Sequence, residues 1–450
     1  MYKDYDMREL YELSAKKIVS LIKKKELRPF EVMEAFIGLS DKLDHKLRVW
    51  ETFDPEVAKL NAKLVEKLIG QDLDRYPLLG VPIGIKDIIY TKDQLTTFGS
   101  KIYSRFKPEY DASVVSLLKQ AGGVIMGKTV TTEFAYMDPP PTLNPWDFQC
   151  TPGGSSSGSA VGVASGLFPV ALGTQTAGSV VRPASYNGVV GFKPTFGIIS
   201  RYGIMPFAWS LDTAGIFGRW VDDIIIVFDE LAKYDKRDSS SVEITSPDEI
   251  CKRKPKVIGI IPELIKMSDE ETRKNFFKLI NSFENDGISI NEIDTGVRLE
   301  DLLHAHKTVM SSEVASLHQG MFKSQYDNYG KNIRNLIEIG MITPSIHYIK
   351  SQRLRSKFVF SIKNQFAEVD AIITPTTPKP APRDLNGTGD PAFQIPWTTG
   401  GFPSITIPTS ISKDRLPIGT QIISNQFDDW LLLSYSKWFQ EEYGDNTRPF

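Results

Sequence analysis

Three short segments carry side chains whose types and spacing could do chemistry together. Lys86 closes the apolar run GVPIGIKD, Ser155, Ser156 and Ser157 follow Gly153–Gly154, and Ser179 follows Gly178 in GTQTAGSVVR. A serine hydroxyl is a weak nucleophile until a neighbouring base removes its proton. A lysine amine can be that base only when neutral, and removal from water favours the neutral form. Taken singly, each segment reads as a turn lysine or a small-residue turn. Taken together, they adjoin the 34 residues from Phe148 to Val181, which carry no charge. That stretch is longer than a membrane span, but Pro152 and Pro169 interrupt it and Ser, Thr and Gly crowd it. Ala160, Val161, Val163 and Ala164 interleave the small residues, which argues against a flexible linker. Gly158, Gly162 and Gly166, four apart, predict a smooth helix face against which another backbone packs. The stretch reads as a buried centre, the medium in which an amine gives up its proton.

Other chemistries find less support. Gly122 to Thr129 satisfies G-x-x-x-x-G-K-T, but Val124, Ile125 and Met126 belong in a strand and the preceding residues read as helix, so a phosphate loop is not expected. His304 and His306 diverge on a helix, and His45, His318 and His347 stand alone. None adjoins a Gly-flanked serine, which argues against a metal site and against a Ser-His-Asp triad. Cys150 reads as a small buried residue before it reads as a nucleophile. With Cys251 the only other cysteine, neither a disulfide scaffold nor a four-cysteine zinc site is available. Lys+Arg 53 against Asp+Glu 55 argues against direct nucleic-acid binding. The start, MYKDYDMREL, is charged and lacks an apolar stretch, so the expectation is a cytoplasmic protein without a signal peptide and without a membrane partner.

The elements that must position these residues follow from periodicity. Leu10, Leu13, Ile18, Leu21 and Ile22, and then Val32 to Leu43, recur at helical spacing within residues 7–70. LLGVPIGIKDIIY predicts a buried strand and tight turn. Residues 111–126 predict a helix ending at Gly122–Gly123 and then a strand, an alternation that points to an α/β sheet protein. DDIIIVFDELA reads as an amphipathic helix, residues 236–256 as a polar loop and KVIGIIPE as a strand. A helical run broken at Gly320, Gly330 and Thr343–Pro344 follows. VDAIITPTTP and FPSITIPTS return to strand texture, so the far C-terminus completes the sheet. We expect one domain over 1–450: a helical segment 1–70, a catalytic core 75–220, a mostly helical region 221–370, and a return to the sheet over 371–450.

GVPIGIKD, TTFGS, GKTVTTEFA, NPWD, PGGSSSGSAVGVASG, GTQTAGSVVRPASYNGVVGFKPT, ITPTTP and LPIGTQII resemble, in this order, the amidase signature family. The resemblance implies a single α/β domain whose twisted, mixed central sheet is covered by helices on both sides. It implies a catalytic set of Lys86, Ser155 and Ser179, with a cis peptide bond before Ser155. Ser179 would attack the amide carbon and pass its proton through Ser155 to Lys86. Backbone N–H groups of Thr176, Ala177, Gly178 and Ser179 would form the oxyanion hole, with neither metal nor cofactor. Arg182 is open to two roles, a brace for the site loops or a partner for a substrate carboxylate, with Thr174 a helper in either. Arg355, in KSQRLRS, resembles an arginine that holds a substrate α-carboxylate. Met137, with Phe134, Phe393 and Trp397, flanks the signature elements and could line a pocket. The activity implied is hydrolysis of a small-molecule amide. The alternative is the A subunit of a tRNA-dependent amidotransferase, which would add a partner chain. The sequence departs from that subunit's usual DTGGS and MDEFA with TQTAGS and TTEFA. A non-catalytic binding protein on the same fold is disfavoured by the intact lysine and serines. A homodimer is compatible with all of these.

Overall fold

The computed structural model describes residues 7–69, 72–92, 94–247 and 249–450. Most of the charged start, residues 1–6, lies outside them. Eleven strands form one sheet: β1 (Trp50–Phe53), β2 (Pro82–Lys86), β3 (Val124–Thr129), β4 (Val170–Gln175), β5 (Val190–Lys193), β6 (Thr213–Gly218), β7 (Val257–Ile260), β8 (Ser289–Glu292), β9 (Ala371–Pro375), β10 (Ser404–Ile411) and β11 (Pro417–Ile423). Their order is β1-β3-β2-β4-β6-β5-β10-β11-β9-β7-β8. The sheet is mixed, with parallel pairing of β2 to β3 and β4 and of β7 to β8 and β9, and antiparallel pairing elsewhere. Helices flank it, as expected from the alternating periodicities.

The buried strands are continuous apolar runs or small residues because helices cover them. In β2 all five residues of PIGIK are buried, and in β4 all six of VALGTQ. The phosphate-loop look-alike ends in β3, where Lys128 is fully buried against Asp87 at 3.2 Å. The helix Ser157–Ala164 packs its glycines as expected at two of the three positions. A Cβ on Gly158 would sit 2.5 Å from both Val130 N and Val49 O, and one on Gly162 would collide with the Phe168 ring. Gly166 is different: it lies beyond the helix with a positive φ of 72° and has no tight neighbour.

Two strands depart from the periodicity reading. Within 7–70, Trp50–Phe53 forms the edge strand β1, pairing with β3 although its flanks are helical. Within 221–370, Ser289–Glu292 forms the other edge, β8. Both are four residues long, too short for a period-2 pattern to register; β8 is mostly exposed and β1 mostly half-buried. Gly320 does not break its helix; Leu299–Gln325 runs through it because nothing crowds that face. Gly330 and Pro344 do mark helix starts, at Lys331–Ile342 and Ser345–Gln365. Among the described residues no helix is long and apolar enough to cross a membrane.

Candidate active site

The central strands β2 and β4 lie side by side and parallel, so their C-terminal ends open at the same edge of the sheet. Lys86 is the last residue of β2 and Thr174 is the next-to-last of β4. The register therefore brings them together. Lys86 Nζ donates to Thr174 Oγ1 at 2.9 Å and to Ser155 Oγ at 2.7 Å. Ser155 arrives from the loop before the helix Ser157–Ala164, and its peptide bond to Gly154 is cis.

The structure distinguishes among the clustered serines. Ser156 Oγ is engaged with the Thr174 backbone, donating to its carbonyl at 3.2 Å and accepting from its N–H at 3.3 Å. Ser157 Oγ donates to the Val130 carbonyl and Ser159 Oγ to the Leu172 carbonyl. These hydroxyls satisfy buried backbone. Ser155 alone among them meets a lysine.

Three lysines are fully buried among the described residues, and they differ in what meets their amines. Lys128 pairs with Asp87, and its amine sits at about 8 because burial opposes the charge while Asp87 partly restores it. Lys193 donates to the Pro194 carbonyl at 2.8 Å, and burial lowers its amine to about 7 against the opposing charge of Asp429. Lys86 has two hydroxyls and no carboxylate within ion-pair distance among the described residues. Burial drives its amine well below the ordinary lysine value, and the negative charge of Asp212 opposes that fall only in part.

Ser179 stands in the turn between β4 and the helix Val181–Asn187. Its hydroxyl makes no hydrogen bond among the described residues, and it lines a cavity of about 370 Å³. Gln175 holds the turn from within. Its Oε1 accepts from Val180 N–H at 2.9 Å and Val181 N–H at 3.0 Å, while its Nε2 donates to Thr398 Oγ1 at 2.9 Å. Thr398 in turn donates to the Ala177 carbonyl at 2.7 Å. The N–H groups of Ala177, Gly178 and Ser179 have no acceptor among the described residues. Gly178 is required by contact: a Cβ there would sit 2.6 Å from Gln394 Oε1.

Thr176 faces a second partner that the sequence reading did not single out. Its hydroxyl donates to Asp212 Oδ1 at 2.5 Å. Asp212 is buried, and its other oxygen accepts from Phe207 N–H at 2.7 Å and Ala208 N–H at 3.0 Å. No sequence pattern marks it, because its placement depends on the β4–β6 register, in which Gln175 opposes Thr213. Thr176 and Asp212 also line a smaller cavity of about 250 Å³.

Arg182, 2% exposed, donates to the Gly154 carbonyl at 2.8 Å, the Gly389 carbonyl at 3.0 Å and Thr388 Oγ1 at 3.0 Å. It has no carboxylate within ion-pair distance among the described residues, and Nε has no partner. Its side chain thus ties the loop of Ser155 to residues 388–389. Met137 lines the larger cavity, with Leu303, Met310, Asp390 and Ile395. Phe134, Phe393 and Trp397 do not: Phe134 packs on His318 and Tyr329, and the other two are core residues with no exposure. Aromatic bulk next to a signature motif marks packing as readily as a pocket, which is why the sequence misplaced them. Arg355 lies off this cavity, donating to Ser210 O at 2.8 Å and to Ser210 Oγ at 3.2 Å. His306 lines the cavity and is neutral, its imidazole lowered by burial to about 3. Cys150 is buried, and burial raises its thiol to about 11, the reverse of what a thiolate nucleophile needs. No group of three or more metal-ligating side chains occurs among the described residues.

The fold and this constellation define a hydrolase that acts on amide C–N bonds. The family model described as Amidase matches residues 31–433, and the chain belongs to the amidase family. The glutamyl-tRNA(Gln) amidotransferase A subunit of Sulfurihydrogenibium sp. (strain YO3AOP1) is 34% identical, over 96% of this chain and 97% of that protein. The solved structure of the protein of the same name from Thermotoga maritima superposes with a TM-score of 0.80 at 27% identity, covering 98% of this chain and 97% of that one. A peptide amidase from Stenotrophomonas maltophilia gives a TM-score of 0.83 at 25% identity, with 98% of each chain covered. The full-length relatives named as A subunits favour the amidotransferase alternative over the stand-alone amidase that the sequence alone puts first.

Proposed function

We propose that the chain cleaves amide C–N bonds through Ser179, with Ser155 carrying protons between that hydroxyl and Lys86. The observation that carries this is the buried Lys86, held by two hydroxyls and, among the described residues, by no carboxylate within ion-pair distance. A neutral amine in that place has a lone pair to offer Ser155, which can then accept the proton of Ser179 as that oxygen attacks the amide carbon. The N–H groups of Ala177, Gly178 and Ser179, with Thr176 beside them, are free to stabilise the oxyanion. The proton returns along the same path to the departing nitrogen, and water hydrolyses the acyl-enzyme. Arg182 acts as the brace of the Ser155 loop.

We further propose that the amide donor is glutamine and that the chain works as an amidotransferase A subunit, its ammonia being used by a partner chain. The names of the near-full-length relatives support this reading. The cavity lining also offers Asp390 for an α-ammonium and Lys307 for an α-carboxylate. A second reading, a stand-alone amidase for an apolar acyl group, draws on the Met137, Leu303, Met310 and Ile395 wall and on TQTAGS in the nucleophile's turn. Ammonia release from glutamine and from a panel of simple amides separates the two, measured with the chain alone and with amidotransferase partner chains plus charged tRNA. Glutamine cleavage that rises when partners are added supports the first reading, and efficient cleavage of the panel by the chain alone supports the second. A serine-directed fluorophosphonate should label wild type once and Ser179→Ala not at all. Unchanged labelling of that variant removes Ser179 from the mechanism.

A further inference from the structure

Asp212 is a buried carboxylate whose bonds lead to the catalytic turn. Three donors hold it, the Thr176 hydroxyl and the N–H groups of Phe207 and Ala208, and no cation lies within ion-pair distance among the described residues. The nearby guanidinium of Arg201 is directed elsewhere. It donates to the Asp212 backbone carbonyl at 3.3 Å and pairs with Asp238 at 3.6 Å. A charge buried with so little compensation costs stability unless something requires it. The β4–β6 ladder pairs Thr174, which holds Lys86, with Ala214 and Gln175 with Thr213, so the next step along it brings Asp212 to Thr176, which opens the turn carrying Ser179.

We propose that Asp212 is a positioning residue for this reaction: through Thr176 it fixes the nucleophile's turn, and its charge supplies the negative pole that keeps Lys86 a strong base. The proposal rests on Lys86 being the base of the reaction, as set out above. The two halves answer different problems. A turn with three unpaired N–H groups needs an anchor outside itself, and the Thr176–Asp212 bond is that anchor. A lysine stripped of water becomes neutral readily but also becomes a poor proton acceptor. A carboxylate near it, but not bonded to it, restores basicity without forming an ion pair that would occupy the amine.

The ionisable groups around this pair are few. Lys86 meets hydroxyls from the Ser155 loop and from β4, and Asp212 is the acidic group that acts on it, its own carboxyl raised by burial and held down in part by its three donors. Asp87, next in the chain, is paired with Lys128, and Arg201 is the cation that acts on Asp212. A change at Asp212 therefore reaches Lys86 without rearranging another ion pair.

The test is the pH dependence of the second-order rate at which a fluorophosphonate labels Ser179, which needs no knowledge of the substrate. In Asp212→Asn, the amide can give Thr176 its N–H and accept from Phe207 and Ala208 with its oxygen, so the turn stays anchored while the charge goes. The acid limb of the profile should then move down by about 1 pH unit, with a lower plateau. Thr176→Val keeps the charge and cuts the anchor. Its plateau should fall at least about tenfold, with the limb unmoved. An unshifted limb in Asp212→Asn overturns the electrostatic half, and an unchanged rate in Thr176→Val overturns the anchoring half. Should Asp212→Asn not fold, Asp212→Glu, which restores the charge, must return the wild-type limb for the proposal to stand. Absence of labelling in wild type defeats the underlying reading of Ser179 instead, so the two failures are distinct.

Discussion

Replacing Lys86 with Met should kill the reaction while changing stability in a way that depends on pH. The activity loss follows from the missing base, whose contribution in general acid–base catalysis is about 10²–10⁴-fold. Stability is set by two opposed effects. Removing an amine from a site with no carboxylate partner relieves a desolvation penalty, and apolar replacement of buried charge commonly stabilises by about 1–4 kcal/mol. Against this, Ser155 and Thr174 lose their bonds of 2.7 and 2.9 Å, costing about 1 kcal/mol each. Near neutral pH the variant should therefore lie between about 1 kcal/mol less and about 2 kcal/mol more stable than wild type. The sign of the pH effect follows from linkage. The folded lysine is held well below its ordinary value by burial, so the unfolded chain binds more protons between that lowered value and the reference of about 10.4. Wild-type stability thus rises with pH across this window, by up to about 1.4 kcal/mol per unit, and is lost as pH falls through it. Lys86→Met lacks this term, so its advantage should shrink steadily as pH rises from 7 to 10. Denaturant midpoints of both proteins at several pH values measure the difference, and other titrating groups cancel. Parallel curves would mean that Lys86 stays charged in the folded protein, and the base assignment would fall with them.

Two further outcomes test the packing and the brace. Arg182→Ala, which frees the Gly154 and Gly389 carbonyls and Thr388, should lower turnover by a similar factor, about 10–100-fold, for carboxylated and uncharged amides. A loss confined to carboxylated substrates in the same kinetic panel would give Arg182 a substrate-binding role. Gly158→Ala should lower the unfolding free energy by about 1–3 kcal/mol, because backbone atoms block its methyl on two sides. Gly320→Ala, in an open helix position, should raise it by about 0.5–1 kcal/mol, and denaturant titration reads both.

What the sequence could reveal depended on how local each signal was. Lys86, Ser155 and Ser179 were legible because each sits in a motif whose glycines and apolar neighbours are fixed by close contact, as at Gly178 beneath Gln394. The uncharged run from Phe148 to Val181 announced a buried centre, and the strands β4, β9 and β10 appeared in it or beyond it as apolar segments. Asp212 was not legible, since only the pairing of β4 with β6 carries it to Thr176. The same limit hid the cavity wall. Leu303 and Met310 on one helix, and Asp390 with Ile395 far along the chain, meet Met137 only in the folded protein. Edge strands β1 and β8 were too short to show a period, and Phe134, Phe393 and Trp397 have types that suit core and pocket alike.

The cavity over Ser179 is assembled from two unequal sources. Its floor, from Thr176 to Arg182, belongs to a compact block that holds the turn against Gln175 and the sheet and that carries the proposed proton path. Its roof is borrowed from the Leu299–Gln325 helix and from residues 390–395, more than a hundred positions downstream, with Gln394 packed against Gly178 of the turn. On the proposed mechanism, chemistry and choice of substrate would then be drawn from different parts of the chain, joined at Gln394. Exchanging the roof with Gln394 retained, as a graft of those two segments from a relative with another preference, becomes a practical route to a new amidase that leaves the lysine and its serines untouched.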